Sequence, residues 1–250
     1  MKLKSSILVV FLGATLSVIT TNSFAKSESE PKKYQQPPEL LKQTIAKAIR
    51  DFELTPREDW SYIVSRYESE EGDITRSIEQ YDPILEGTQK WSLLSKNGQM
   101  PSQSEQQAFK DAKREKLEKK GEQTFHIKLS EIIHVDSLVL LDETESLLRA
   151  NFRVNLSQLG DTATEKLSGT LLFNKQQAFI ENIQIVNKEA FSPMFTAKIT
   201  DFSLSLSFLK IDKAILPHQH ALSMNGTFAF FTDIDEESLD TYSNYQIRKQ

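Results

Sequence analysis

His218 and His220 stand two residues apart in the segment Leu216-Pro217-His218-Gln219-His220. In an extended chain that spacing puts both imidazoles on one side, which is how many metal sites begin. Asp212 is near in sequence, but a metal centre needs three or four ligands of fixed geometry, and no further ligand falls in the pattern. Pro217 reads as part of a loop between strands, so the expectation is two solvated histidines and no metal. His126 and His134 are isolated and read as surface or partly buried strand residues. Asp233 and Asp235 have the spacing of an acid–base pair. That chemistry needs burial and opposed pKa shifts, whereas these two begin what reads as an acidic, exposed tail with at most one helical turn. Serine is plentiful, but no Gly-x-Ser-x-Gly elbow is present. No cysteine exists to act as a nucleophile, and no glycine-rich phosphate loop occurs. The sequence therefore assigns no catalytic residue, no metal and no cofactor, and it reads as a binding or structural protein, with an envelope hydrolase as the weakest alternative, since no polar side chains converge on a pocket in the pattern.

The elements around these residues are mostly strands. Pro37-Pro38 precedes an amphipathic helix over Glu39 to Phe52, whose apolar face is Leu41, Ile45, Ile49 and Phe52. From Asp59 the period changes to two: Trp60, Tyr62 and Val64 share one face of a strand. A turn at Gly72-Asp73, a strand through Ile74 and Ile78, a stop at Asp82-Pro83 and a short strand with Trp91 and Leu93 follow. Asn97-Gly98 is a strong turn signal. Ser102 and Glu105 have capping-box spacing and open a second helix, Gln103 to Lys119, whose thin apolar face is Ala108, Phe109, Ala112 and Leu117. Its charge run from Lys110 to Lys120 reads as a solvated face.

Beyond Thr124 strands dominate. Phe125, Ile127 and Leu129 make one stripe, and Leu138 to Leu141 read as a buried strand. Further strands run through Leu148–Leu156, Leu167–Phe173, Phe179–Ile185, Phe202–Phe208 and Met224–Phe230. Eight to eleven strands joined by short turns imply one meandering antiparallel sheet. A sheet this large curls because its strands twist. The fold class expected is mainly β (α+β): an unclosed, curled half-barrel wrapped over the first helix, with a second, polar helix between strands.

The chain opens with Lys2 and Lys4, an apolar run from Ile7 to Ile19, and small residues at Ser23 and Ala25. This is the pattern of a signal peptide over residues 1–25, cut after Ala25. The apolar run is shorter than the roughly 20 residues needed to span a bilayer. The expectation is export to a periplasm, a polar leader over 26–37, and a β-rich domain over 38–250 of about 225 residues with the leader, enough for one sizeable core. Formal net charge is −5. That makes sequence-independent binding of nucleic acid a poor expectation. Charged residues opposite the apolar stripes, and the two helices, argue against an outer-membrane barrel.

The apolar stripes have two readings. They are ordinary core, or they line a cavity for an apolar ligand, since curled sheets often enclose one. On the second reading Trp60, Tyr62, Phe202, Leu204, Leu206 and Phe208 are wall residues, and Leu41, Ile45 and Ile49 form a lid. The alternative is an envelope interaction module with a filled core, whose protein partner is reached through the polar helix or the acidic tail from Asp235.

Five short stretches carry a resemblance: Trp60-Ser61-Tyr62, Tyr81-Asp82-Pro83, Trp91-Ser92-Leu93-Leu94, Asn97-Gly98-Gln99-Met100-Pro101-Ser102 and Phe191-Ser192-Pro193. In this order the chain resembles a group of uncharacterised exported bacterial proteins whose layout is similar to the periplasmic lipoprotein carrier LolA and its relatives. The resemblance implies an unclosed barrel over a helix, with a cavity for a lipid or a lipoprotein acyl group. No motif of the carrier itself matches, so it assigns no residue. The polar helix between Gly98 and Thr124 departs from the carrier's order.

Overall fold

The computed structural model describes residues 38–120, 128–156, 164–229 and 232–248. The signal segment, the leader, Phe125, His126, Ile127 and Phe230 lie outside the described residues. Among the described residues eleven strands form one antiparallel sheet that does not close. Helix α1 (Pro38–Glu53) leads through a 3-10 turn into β1 (Trp60–Glu70), β2 (Asp73–Tyr81) and β3 (Trp91–Lys96). Helix α2 (Gln103–Lys120) and the short α3 (Leu129–Ile132) come next. Then follow β4 (Ile133–Glu143), β5 (Leu147–Val154), β6 (Leu167–Asn174), β7 (Phe179–Asn187), β8 (Phe191–Met194), β9 (Ala197–Ile211), β10 (Ala214–Phe228) and β11 (Thr232–Ile247).

The strand order is β3-β2-β1-β11-β10-β9-β7-β6-β5-β4, with β8 paired to β9. The chain therefore runs outward from β1 to one edge, passes α2, starts again at the opposite edge with β4, and works back to the middle. Its first and last strands meet there, with Val64 opposite Tyr242 and Arg66 opposite Asp240. This corrects the reading of residues 233–248 as a tail. Thr232–Ile247 form a central strand of 16 residues, paired to β1 and β10. The acidic residues misled because alternate positions of β11, such as Asp233 and Asp235, are exposed, while Ser238, Asp240 and Tyr242 are buried.

Local signals explain the turns. Asn97 and Gly98 both take positive φ, 49° and 78°, as a two-residue type I′ turn requires. The Asn97 side chain also accepts a hydrogen bond from the Arg76 amide at 2.8 Å. Helix α2 starts with the capping box: the Glu105 carboxylate accepts from the Ser102 amide at 2.9 Å, and the Glu105 amide donates to Ser102 Oγ at 3.3 Å. The bonds that the Ser102 amide and hydroxyl donate to the Glu105 carboxylate, with Lys96 beside it, hold that carboxyl below its ordinary pKa. The stretch Leu138–Leu141 proves to be half of an edge strand. Leu138 is buried, but Val139 and Leu141 are exposed, because alternate residues of β4 point to the sheet face opposite the core.

Gly226 shows how the sheet bends. The ladder between β9 and β10 shifts register between Asn225 and Gly226. A Cβ at Gly226 would lie 2.2 Å from the Lys198 carbonyl oxygen, a backbone atom that cannot swing away. Gly226→Ala is expected to cost about 1–3 kcal/mol through this overpacking. A lowered urea midpoint would show it, and an unchanged midpoint would mean that the strands part at no cost.

Candidate functional site

One face of the sheet holds two different surfaces side by side. Over β4 to β10 it is apolar and covered by α1. Helix α1 forms because its apolar residues recur every three or four positions on one side. Leu41, Ile45, Ala48, Ile49 and Phe52 are all buried. They join one cluster with Phe202, Leu204, Leu206 and Phe208 of β9, Ile183 and Ile185 of β7, and Leu148, Ala150 and Phe152 of β5. The Phe52 and Phe208 rings meet edge to face at 4.7 Å.

The anchorage of α1 is uneven. At its C-terminal end the polar bonds gather. Thr55 Oγ1 accepts from the Ile215 amide at 3.2 Å, and Glu53 accepts from the Ser130 amide at 2.9 Å. Arg57 donates to the Phe52 carbonyl and lies 3.9 Å over the Phe52 ring, and burial lowers its pKa to about 10. Along the N-terminal half the contacts to the sheet are apolar, apart from the ion pair Lys42–Asp136 at 3.6 Å, which is exposed on the Asp136 side and screened by solvent.

The second surface continues the same face across β10, β11, β1 and β2. Directly opposite residues on neighbouring strands share a face. Leu206 stands opposite His220, His220 opposite Asp240, and Asp240 opposite Arg66. Here the row turns from apolar to charged. Arg66 reaches Asp240 at 2.9 Å and Glu79 at 3.1 Å. Glu79 also binds Lys113 of α2 at 2.7 Å, and Tyr242 donates to Asp240 at 3.1 Å. The Lys113 ammonium sits 3.8 Å over the Trp91 ring, a favourable placement for a cation. Helix α2 is thus fastened by charge, by Gln106 donating to the Leu93 carbonyl at 2.8 Å, and by little apolar burial.

Burial sets the titration of this surface. It raises the Asp240 carboxyl to about 6 against the pull of Arg66. Burial, helped by the Arg66 charge, lowers the His220 imidazole to about 3. For Arg66, burial opposes the charge, but Asp240 and Glu79 outweigh it and hold the pKa above its ordinary value. His220 is completely buried, which corrects its reading as a solvated loop residue. Pro217 lies within β10 at an irregularity between Pro217 and Gln219, the kind of place a strand tolerates proline. The extra residue leaves His218 exposed while His220 faces Phe208 and Tyr242.

The nine expected wall and lid residues divide accordingly. Leu41, Ile45, Ile49, Phe202, Leu204, Leu206 and Phe208 come together in the α1 cluster. Trp60 and Tyr62 stand apart from it. Trp60 is buried with Ala214 and Leu216 and with partly buried Leu209, Ile211 and Tyr245. Leu209 follows Phe208 in β9, so this cluster lies on the alternate face. Tyr62 belongs to the charged surface, stacked on Tyr81 at 5.2 Å and near Trp91, Tyr242 and Tyr245. An irregularity between Ser61 and Ile63 separates the two along β1. Arg66, Glu79, Lys113, His220 and Asp240 were not singled out from the sequence as a group, since they meet only where β2, β1, β11 and β10 pair and α2 packs beside Glu79. Among the described residues no cluster of His, Asp and Glu has a metal-binding arrangement. No described helix is long and apolar enough to cross a membrane.

Comparison with family models gives no match, and no curated protein matches the sequence. Among solved structures, the crystal structure of a DUF1329 family protein from Desulfovibrio piger is similar over 85% of this chain and 94% of its own, at a TM-score of 0.35 and 8% identity.

Proposed function

We propose that this protein is exported through its first 25 residues to the periplasm and there binds a lipid or lipoprotein acyl chain, without catalysis, in the groove that α1 covers. The observation that supports this reading is the uneven anchorage of α1. Its C-terminal end is tied by buried and partly buried hydrogen bonds, while its N-terminal half rests on apolar contact. Swinging the helix out about Phe52–Thr55 would open a groove walled by Phe202, Leu204, Leu206 and Phe208, with Ile45 and Ile49 on the moving side.

The magnitudes fix the ligand's size. Four large buried side chains, Leu41, Ile45, Ile49 and Phe52, at about 1.5–3 kcal/mol each put the closed helix at roughly 9 kcal/mol of apolar burial. A methylene buried in its place returns about 0.8 kcal/mol. A chain of about a dozen or more methylenes is therefore needed, and short acyl groups will not open the groove. The test is native mass spectrometry of the periplasmic protein, with extraction of any released lipid, beside Ile45→Trp and Leu206→Trp. A bound lipid in the wild type that falls at least tenfold in both folded variants supports the groove. Equal lipid content in all three sinks it.

A second reading is favoured by the completeness of the core: the inward residues of α1 and their partners on β9 are all within 4% of full burial. On that reading the groove is a filled core, and the protein is an envelope interaction module that meets a protein partner through α2. A clean apo mass that long-chain lipid leaves unchanged would select it.

A further inference from the structure

A cleft of about 530 Å³ opens beside the β8–β9 turn, on a part of the surface distinct from the α1 groove, and is lined by Lys166, Ala190, Phe191, Ser192, Met194, Phe195 and Lys198. Its volume falls in the range of small-molecule sites. Its lining has two chemical ends. Phe191 is the buried floor and packs on Phe202 with the rings 6.1 Å apart. Met194 and Phe195 stand out from the turn, and Phe195 is 92% exposed. Covering an aromatic side chain so open to water with apolar surface is favourable.

The other end is cationic. Lys166 Nζ donates to the Ala190 carbonyl at 3.1 Å, which holds its ammonium at the rim. Its nearest acid, Glu189, is 3.9 Å away and mostly exposed, so that charge is weakly compensated. The Lys198 side chain has no hydrogen-bond or ion-pair partner among the described residues. Most of the other lysines with an ion pair in the structure sit on a carboxylate at 3.6 Å or closer, as Lys47, Lys113 and Lys175 do. Two lysines at one cleft, one unpaired and one underpaired, are unusual in a chain of net charge −5.

We propose that this cleft binds a free, single-chain amphiphile with an anionic head, a carboxylate or a phosphate monoester. Lys198 and Lys166 take the head, and Phe191, Met194 and Phe195 take the first part of the chain. The inference goes beyond the groove reading and does not depend on α1 moving.

The probe is octyl phosphate, titrated calorimetrically into the full mature protein, with octanol and inorganic phosphate as its two halves. Binding of octyl phosphate at least tenfold tighter than either half is expected. Lys198→Glu and Phe195→Ser should each weaken it about tenfold while leaving the melting temperature unchanged, since both positions are exposed. A third arm adds phosphatidylglycerol vesicles and measures co-sedimentation. If the two variants bind octyl phosphate as the wild type does, the amphiphile sits elsewhere and the inference falls, with the groove reading untouched. If the wild type sediments with vesicles but binds no free octyl phosphate, the cleft is a membrane contact and the inference falls as well.

Discussion

A chain truncated before Asp235 is expected to lose its cooperative fold altogether. The cut removes most of β11, which lies between β1 and β10 with residue-by-residue pairing on both sides. Ladder bonds on both flanks would be lost, and fully buried Val64 and His220 would be uncovered. Unpaired backbone groups in a buried position cost about as much as lost hydrogen bonds. Two such rows exceed the whole stability of an ordinary domain, about 5–15 kcal/mol. The separated edges would also be aggregation-prone. Urea denaturation followed by circular dichroism is the measurement. The expected result is no sigmoidal transition, or precipitation on expression. A truncated protein with the wild-type midpoint and slope would show that β11 is dispensable, as a detachable tail would be.

That expected loss marks the limit of what the residues alone disclose. Periodicity located α1 and most strands because their inward faces are apolar: Leu204, Leu206 and Phe208 alternate with serines, and Leu41, Ile45 and Ile49 keep helical spacing. The turns at Asn97-Gly98 and the cap at Ser102 were legible because each depends on a few adjacent residues. β11 was not, since its inward row carries Ser238, Asp240 and Tyr242 in place of aliphatics. A strand that turns charged groups inward has no hydrophobic alternation to find. The same property hid the charged half of the face. Arg66 and Asp240 lie 174 positions apart, and each is ordinary until β1 and β11 pair. Trp60 and Tyr62 failed to share a face for a smaller reason: one irregularity beside Ser61 undoes a period of two.

The charged half gives the second large effect. Arg66→Met is expected to destabilise the protein by about 3–5 kcal/mol near pH 7.5, the usual cost of removing one partner of a buried ion pair. Glu79 keeps Lys113, but Asp240 keeps only the Tyr242 hydroxyl. The sign of the pH dependence follows from Asp240. Its folded pKa, about 6, lies above the ordinary 3.8. Its contribution to stability is fully present below 3.8 and is lost as pH rises through 6. Without the opposing Arg66 charge that pKa climbs further. The penalty of the variant should therefore shrink at pH 5, where Asp240 takes up a proton, and be largest above neutrality. His220 acts the other way. Lowered to about 3, it contributes stability that is present above 6.5 and lost as pH falls toward 3; part of that loss falls between pH 7.5 and 5, so each variant is compared with the wild type at the same pH. Adding Asp240→Asn to Arg66→Met removes the stranded charge and should recover part of the loss at pH 7.5, with little gain at pH 5. Thermal melts of the wild type, Arg66→Met, Asp240→Asn and the double variant at both pH values form the cycle. A loss below 1 kcal/mol, equal at the two pH values, would mean that water reaches Asp240 and that the row from Leu206 to Arg66 is not a sealed charged core.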